Sequence, residues 1–183
     1  MGTGRDGPQA EEGEAETLAP ILPEDIEKGA GDLLERACEA GFTLATAESC
    51  TGGLLASLLT DVEGASRAFE RGFVVYSEEA KCELLGIARE TIDRSGAVSR
   101  DVARTMAQGA LDHSKADIAL AVTGFAGPAG PGDEPGLVHF ACARRGATIT
   151  HREEHFGDKG RGPVRIACLR VALEMMGEAF DDR

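Results

Sequence analysis

This chain is poor in aromatic residues. It has no Trp and a single Tyr, and Phe, Tyr and Trp together make up 4% of its 183 residues. A cage for an organic cation, or a platform on which nucleobases stack, needs more π faces than that. Positive charge is also scarce. The 19 Lys and Arg face 32 Asp and Glu, for a formal net charge of −13, which opposes binding to a phosphate backbone. The five cysteines (Cys38, Cys50, Cys82, Cys142 and Cys168) are odd in number and form no CxxC pair. That argues against a disulfide framework and against a cysteine zinc site. The four histidines give no HxxxH on a helix, and His151 and His155 fall beside a strand end, where solvation is expected. No apolar run approaches the ~20 residues of a membrane span, and the N-terminus lacks the apolar core of a signal peptide. These absences lead to the expectation of a reduced, cytoplasmic, soluble protein with no nucleic-acid, membrane or metal partner.

The chain does carry enough apolar sequence for one core, with 42% hydrophobic residues. Residues 1–21 are rich in Gly, Glu and Ala without apolar period and read as a disordered acidic tail; 22–183 read as the folded domain. Pro23 opens a helix with Glu24, Asp25 and Glu27 in its first turn, where carboxylates favour the positive end of the dipole. Ile26, Ala30, Leu33, Leu34 and Ala37 form its apolar stripe, and Gly41 stands at the C-terminal cap. Strands are expected at 42–47, 72–76 and 118–122, and a hairpin at 137–143 and 147–154. Ser77 and Ser99 read as N-caps of helices, and Pro163 starts the last one. Helix and strand alternate at first and a hairpin follows, which points to an α/β fold: three α/β/α layers around a mixed, mostly parallel sheet.

In such sheets ligands bind beyond the carboxyl ends of the strands. Three expected strand ends carry polar residues: Ser49, Tyr76 and Thr123. Ser49 precedes a helix start whose N–H groups suit a phosphate or an oxyanion, and Ser49 or Thr51 would equally serve as a plain cap. Cys50 is a rival nucleophile at the same turn. With no histidine at a strand end, the candidate base is Lys81, one turn into the helix that follows Tyr76. A free lysine has a pKa near 10.4 and is neutral about one time in a thousand at pH 7.4. Burial or a neighbouring cation must depress it by roughly 2–3 units, each about 1.36 kcal/mol. Thr123 and Gly124 open a long Gly/Pro loop able to form an anion nest, and Arg161 and Arg165 flank the start of the last helix, where an arginine pairs well with phosphate.

The segments TAESCTGG (46–53), FERGFVVYSEEAK (69–81), GAVS (96–99) and VTGFAGPAG (122–130) resemble the CinA C-terminal domain family, the bacterial nicotinamide-nucleotide amidases or NMN deamidases. The likeness runs over about 24–178. It implies a three-layer α/β/α fold and hydrolysis of the carboxamide of nicotinamide mononucleotide (NMN) to nicotinate mononucleotide and ammonia, without a metal or other cofactor. It places the family's nucleophile at Ser49 and its assisting Tyr and Lys at Tyr76 and Lys81. Substrate binding falls to Thr51 and Gly52 in the turn, to Thr123 and Gly124, and to Arg161 and Arg165. The absence of the second domain that many members carry implies the stand-alone, homodimeric form. Two departures stand out: the Gly/Pro loop ends in DEPGLV, with Asp133 and Glu134 where the family has a lysine, and GDKGRGPVR has two extra residues before Arg161. These departures motivate an alternative, a nucleotide-binding regulatory module without hydrolysis.

Overall fold

The structure, a computed structural model, describes residues 22–181. The acidic tail read at 1–21 lies outside them. Five strands form one sheet in the order β2-β1-β3-β4-β5. They are β1 (Leu44–Glu48), β2 (Phe69–Val74), β3 (Ile118–Gly124), β4 (Leu137–Arg144) and β5 (Thr150–His155). β1 runs parallel to β2 and to β3, whereas β3–β4 and β4–β5 are antiparallel. The sheet is thus evenly divided rather than mostly parallel.

Helices cover both faces. On one side α1 (Glu24–Ala40), α2 (Leu54–Thr60) and α6 (Arg161–Glu178) pack over Leu44, Ile118, Leu120, Val122, Val138 and Phe140. On the other side α3 (Glu78–Leu85), α4 (Arg89–Ser95) and α5 (Arg100–Asp112) pack over Ala45, Ala47, Ala119, Ala121, Ala141 and Ala143. Each strand splits its residues between the two cores because successive side chains point to opposite faces. The α1 stripe Ile26, Ala30, Leu33, Leu34 and Ala37 is buried as its helical spacing requires. Ser77 and Ser99 cap α3 and α5, accepting from the N–H of Ala80 at 3.0 Å and of Val102 at 3.3 Å.

Two elements differ from expectation. β2 starts at Phe69 and ends at Val74, earlier than the apolar run 72–76. It is an edge strand, so Glu70 and Arg71 belong to it without needing burial, and the chain turns away after Val75 N–H bonds to Glu48 O at 2.8 Å. α4 was not anticipated: only Ile92 of its seven residues is buried, too little to make a periodic signal.

Candidate active site

Period-two alternation through β1 sends Glu48 to the α2 face and leaves Ser49, the next residue, facing α3. Glu48 is fully buried. Its Oε2 accepts from the N–H groups of Gly53 at 3.1 Å and Leu55 at 3.0 Å, and its Oε1 from Ala56 N–H at 2.8 Å and the Thr46 hydroxyl at 3.3 Å. The positive end of α2 is therefore filled by a carboxylate from β1. The N–H groups that suited a phosphate or an oxyanion are largely taken from behind, with Gly52 N–H bonded to Ser49 O and Leu54 N–H to Thr51 O. The N–H groups of Cys50 and Thr51 take no part in these bonds. Gly52 and Gly53 turn the chain at φ of 65° and 93°, a region that glycine enters without a Cβ penalty.

Ser49 meets Lys81. Ser77 fixes the start of α3, and one turn on Lys81 is 2% exposed, with its Nζ 3.1 Å from Ser49 Oγ. The same Nζ donates to Val75 O at 2.9 Å. Burial lowers the Lys81 pKa from its ordinary value, against weaker opposing pulls from Cys50, Glu78 and Cys82. Among the described residues no carboxylate pairs with it. A base that is dry, unpaired and already bonded to a hydroxyl is the arrangement by which lysine activates serine.

Both residues line a cavity of about 270 Å³. Cys50, Tyr76, Ala97, Val98, the 123–128 segment and Arg161 complete its walls. Tyr76 is 64% exposed and its hydroxyl bonds neither Ser49 nor Lys81; the Val75 carbonyl holds the lysine instead. The Thr123 hydroxyl donates to Ala97 O at 2.9 Å, tying the end of β3 to the 96–99 segment. Gly124 lets β4 pass closely, since a Cβ there would sit 2.7 Å from Leu137 O.

The two arginines divide. Arg161 lies over Gly127 at the cavity wall, is exposed, and forms no ion pair among the described residues. Arg165, one turn further along α6, donates from Nε to Cys50 O at 2.8 Å and covers Gly52, so it braces the turn from behind. Thr51 is buried, and its Oγ1 has no partner among the described residues. Cys50 packs against α6, where hydrogen bonding to it, together with burial, pushes the Cys168 thiol pKa far up. A larger recess of about 450 Å³ near α1 carries Glu35, Glu39 and Glu63 and no nucleophile–base pair.

Sequence reasoning passed over Glu48 and the Val75 carbonyl. Glu48 left a faint signal: Gly53, at the N-cap position of α2, has no side chain to cap with, so an acceptor had to come from elsewhere. The Val75 carbonyl is backbone and left none.

The sequence and fold have matches among known proteins. Residues 26–180 fit the family model of the CinA C-terminal domain. The nicotinamide-nucleotide amidohydrolase PncC of Escherichia coli K12 is 47% identical over 143 residues, covering 76% of this chain and 86% of that protein. A competence-damage inducible protein of Symbiobacterium thermophilum is 54% identical over 157 residues, which cover 85% of this chain; the chain spans 34% of that relative's length. The crystal structure of the competence/damage inducible protein CihA from Agrobacterium tumefaciens superposes with a TM-score of 0.84 at 45% identity, covering 86% of this chain and 96% of that one.

Proposed function

Because this chain belongs to the CinA C-terminal domain family, we propose that it is a nicotinamide-nucleotide amidohydrolase, with NMN as substrate and Ser49 and Lys81 as its catalytic pair. The observation that carries this reading is the buried Lys81 Nζ 3.1 Å from Ser49 Oγ at the wall of the cavity. Neutral Lys81 takes the proton of Ser49 as Oγ attacks the carboxamide carbon. The tetrahedral oxyanion forms beside the Cys50 N–H, which Glu48 leaves free to donate. As the C–N bond breaks, Lys81 returns its proton to the departing nitrogen and ammonia leaves. Water then attacks the acyl-serine with Lys81 again as base, freeing nicotinate mononucleotide and restoring Ser49. No metal or other cofactor enters this scheme.

The cavity lies near the ~300 Å³ lower end of ligand clefts. It accommodates the pyridine carboxamide and directs the ribose and phosphate outward. Arg161 and the N–H groups from Gly124 onward are the phosphate-binding candidates, Tyr76 closes over the ring at the mouth, and Thr51, Gly52, Thr123 and Arg165 hold the surrounding turns in place. The enzyme works in the cytoplasm as a homodimer; a monomer mass by light scattering would remove the second part.

The non-hydrolytic alternative draws on Asp133 and Glu134. Neither lines the Ser49 cavity, and Glu134 is engaged by His155 Nδ1 at 2.8 Å. The deciding experiment is ammonia release from NMN by the purified chain. Turnover is expected in the parent protein and in Cys50→Ala, and none above background in a folded Ser49→Ala. Undiminished turnover in Ser49→Ala sinks the mechanism, and NMN binding without ammonia release in the parent favours the alternative.

A further inference from the structure

The β4–β5 hairpin carries a second cluster of chemistry-bearing side chains that the amide hydrolysis does not use. His139 pairs across the sheet with Thr123 on one side and Glu153 on the other, and His151 lies opposite Ala141, two residues along β4. Strand alternation brings His139, His151 and Glu153 to one face, the one that α5 covers. His139 is 6% exposed. Its Nδ1 lies 3.2 Å from His151 Nε2 and 3.4 Å from Glu153 Oε2, and the ligating atoms of all three residues fall within 4.8 Å of one another.

A single ring nitrogen offers one proton or one lone pair. Here that one site is aimed at two different atoms, so a histidine–histidine hydrogen bond and a histidine–carboxylate pair cannot both be fully made. A cation between the three resolves the conflict, because each then contributes a lone pair. Around a tetrahedral ion with ligands at about 2.0–2.1 Å, neighbouring donors stand roughly 3.3 Å apart. Two of the three separations already have that value, and the exposed Glu153 side chain closes the third by rotation. The carboxylate is also held from behind. His155 Nε2 meets Glu153 Oε1 at 3.0 Å, and His155 Nδ1 meets Glu134 Oε1 at 2.8 Å, the kind of outer partner that orients a ligating group. The nearby cations on α5 are Arg100 and Arg104, both of which act on His151, and Arg104 is drawn off to Ile149 O at 2.8 Å.

We propose that His139, His151 and Glu153 form a divalent transition-metal site that clasps the edge strand β5 onto β4. Two imidazoles and one carboxylate suit Zn2+ and its neighbours Co2+ and Ni2+, whereas Mg2+ and Ca2+ prefer oxygen donors alone. The site is separate from Ser49 and Lys81, with Thr123 between them, so its role is to fix the sheet edge.

Co2+ is the probe, added to the purified full chain stripped of metal. One equivalent is expected to produce the visible d–d absorption of a four-coordinate ion, and Zn2+ to displace it. His151→Ala and Glu153→Gln, both on the outer strand, are expected to weaken Co2+ binding at least tenfold, and His155→Gln about tenfold through orientation alone. Zn2+ at a hundredfold excess over its Kd should raise Tm by about 5 °C or more in the parent, and Mg2+ should not. The proposal is overturned if Co2+ gives no such absorption, or if the absorption persists with undiminished affinity in both His151→Ala and Glu153→Gln.

Discussion

The two faces of the sheet are built from different stock. Under α1, α2 and α6 the strands present Leu, Ile, Val and Phe140; under α3, α4 and α5, strands β1, β3 and β4 present alanine, with Thr123 and His139 at their carboxyl-edge end. Large side chains bury more apolar surface, about 1.5–3 kcal/mol for each Leu or Ile, so the first face carries most of the stability. Small side chains bring the covering helix close, and α5 lies near enough that α3 in turn touches it backbone to backbone. A Cβ on Gly109 of α5 would sit 2.2 Å from Leu85 O in the last turn of α3. That approach sets α3 over the carboxyl edge and delivers Lys81 to Ser49. One face of this molecule is thick and stabilising; the other is thin, and the candidate chemistry stands on it.

Substitutions can break this contrast. The largest effect is expected at Lys81. Lys81→Met should lose about 10²–10⁴-fold in kcat/KM for NMN hydrolysis, while Tm does not fall, because an amine held in a dry site is replaced by an apolar chain. A variant that loses stability and keeps activity would place the lysine among the structural groups instead.

The next effect is in the pH dependence. In the proposed mechanism neutral Lys81 is the active form, so kcat/KM should climb tenfold per pH unit on the acid side and level off at a pKa below the ordinary lysine value of 10.5. Stability should follow with the same sign. Between the lowered folded pKa and 10.5 the unfolded chain holds the extra proton, so ΔG of unfolding rises with pH across that window. Below the folded pKa both states are protonated and this contribution is flat. Urea melts across the alkaline range test it, with Lys81→Met removing the slope.

Gly109→Ala sharpens the comparison between the faces. It should cost about 1–3 kcal/mol through overpacking against α3 and should lower kcat by shifting Lys81. Its counterpart on the thick face, Gly29→Ala, meets only the tip of Leu173 at 3.3 Å and should be neutral or stabilising by up to about 1 kcal/mol. If the two behave alike in chemical denaturation, the contrast fails. Glu48→Gln should cost about 1–3 kcal/mol, since an amide cannot accept all of the N–H bonds that now converge on the carboxyl oxygens. Its smaller effect on turnover, read as a fall in kcat at unchanged KM, would reflect a loosened Ser49 turn.

Much of this was legible in the sequence. The α1 stripe, the caps at Ser77 and Ser99, and the three polar strand ends are short-range signals, and the parallel pairing of β2, β1 and β3 brings those ends to one edge. Lys81 was legible by its position one turn into the helix after Tyr76, but its burial was not, because the groups that enclose it come from other elements. What was not legible depends on partners distant in sequence. The extent of β2 follows from its place at the sheet edge. His139 and His151 sit twelve residues apart, a spacing without meaning until strand pairing turns it into proximity. Glu48 looked like the last residue of a strand because its partners lie in the helix that follows.

The adjacency of Glu48 and Ser49 also limits how this protein can vary. The two differ in role only by parity, one facing each way from consecutive positions. Lengthening or shortening the 44–48 segment by one residue would exchange them. The acid would enter the pocket of Lys81 and neutralise it in a buried pair, and the hydroxyl would be left to cap a helix with three N–H groups to fill. Point changes in the loops around the cleft can retune the ligand while the reaction survives. The length of the first strand has no such freedom, and an insertion or deletion there would turn the proposed nucleophile–base pair into an inert salt bridge in a single event.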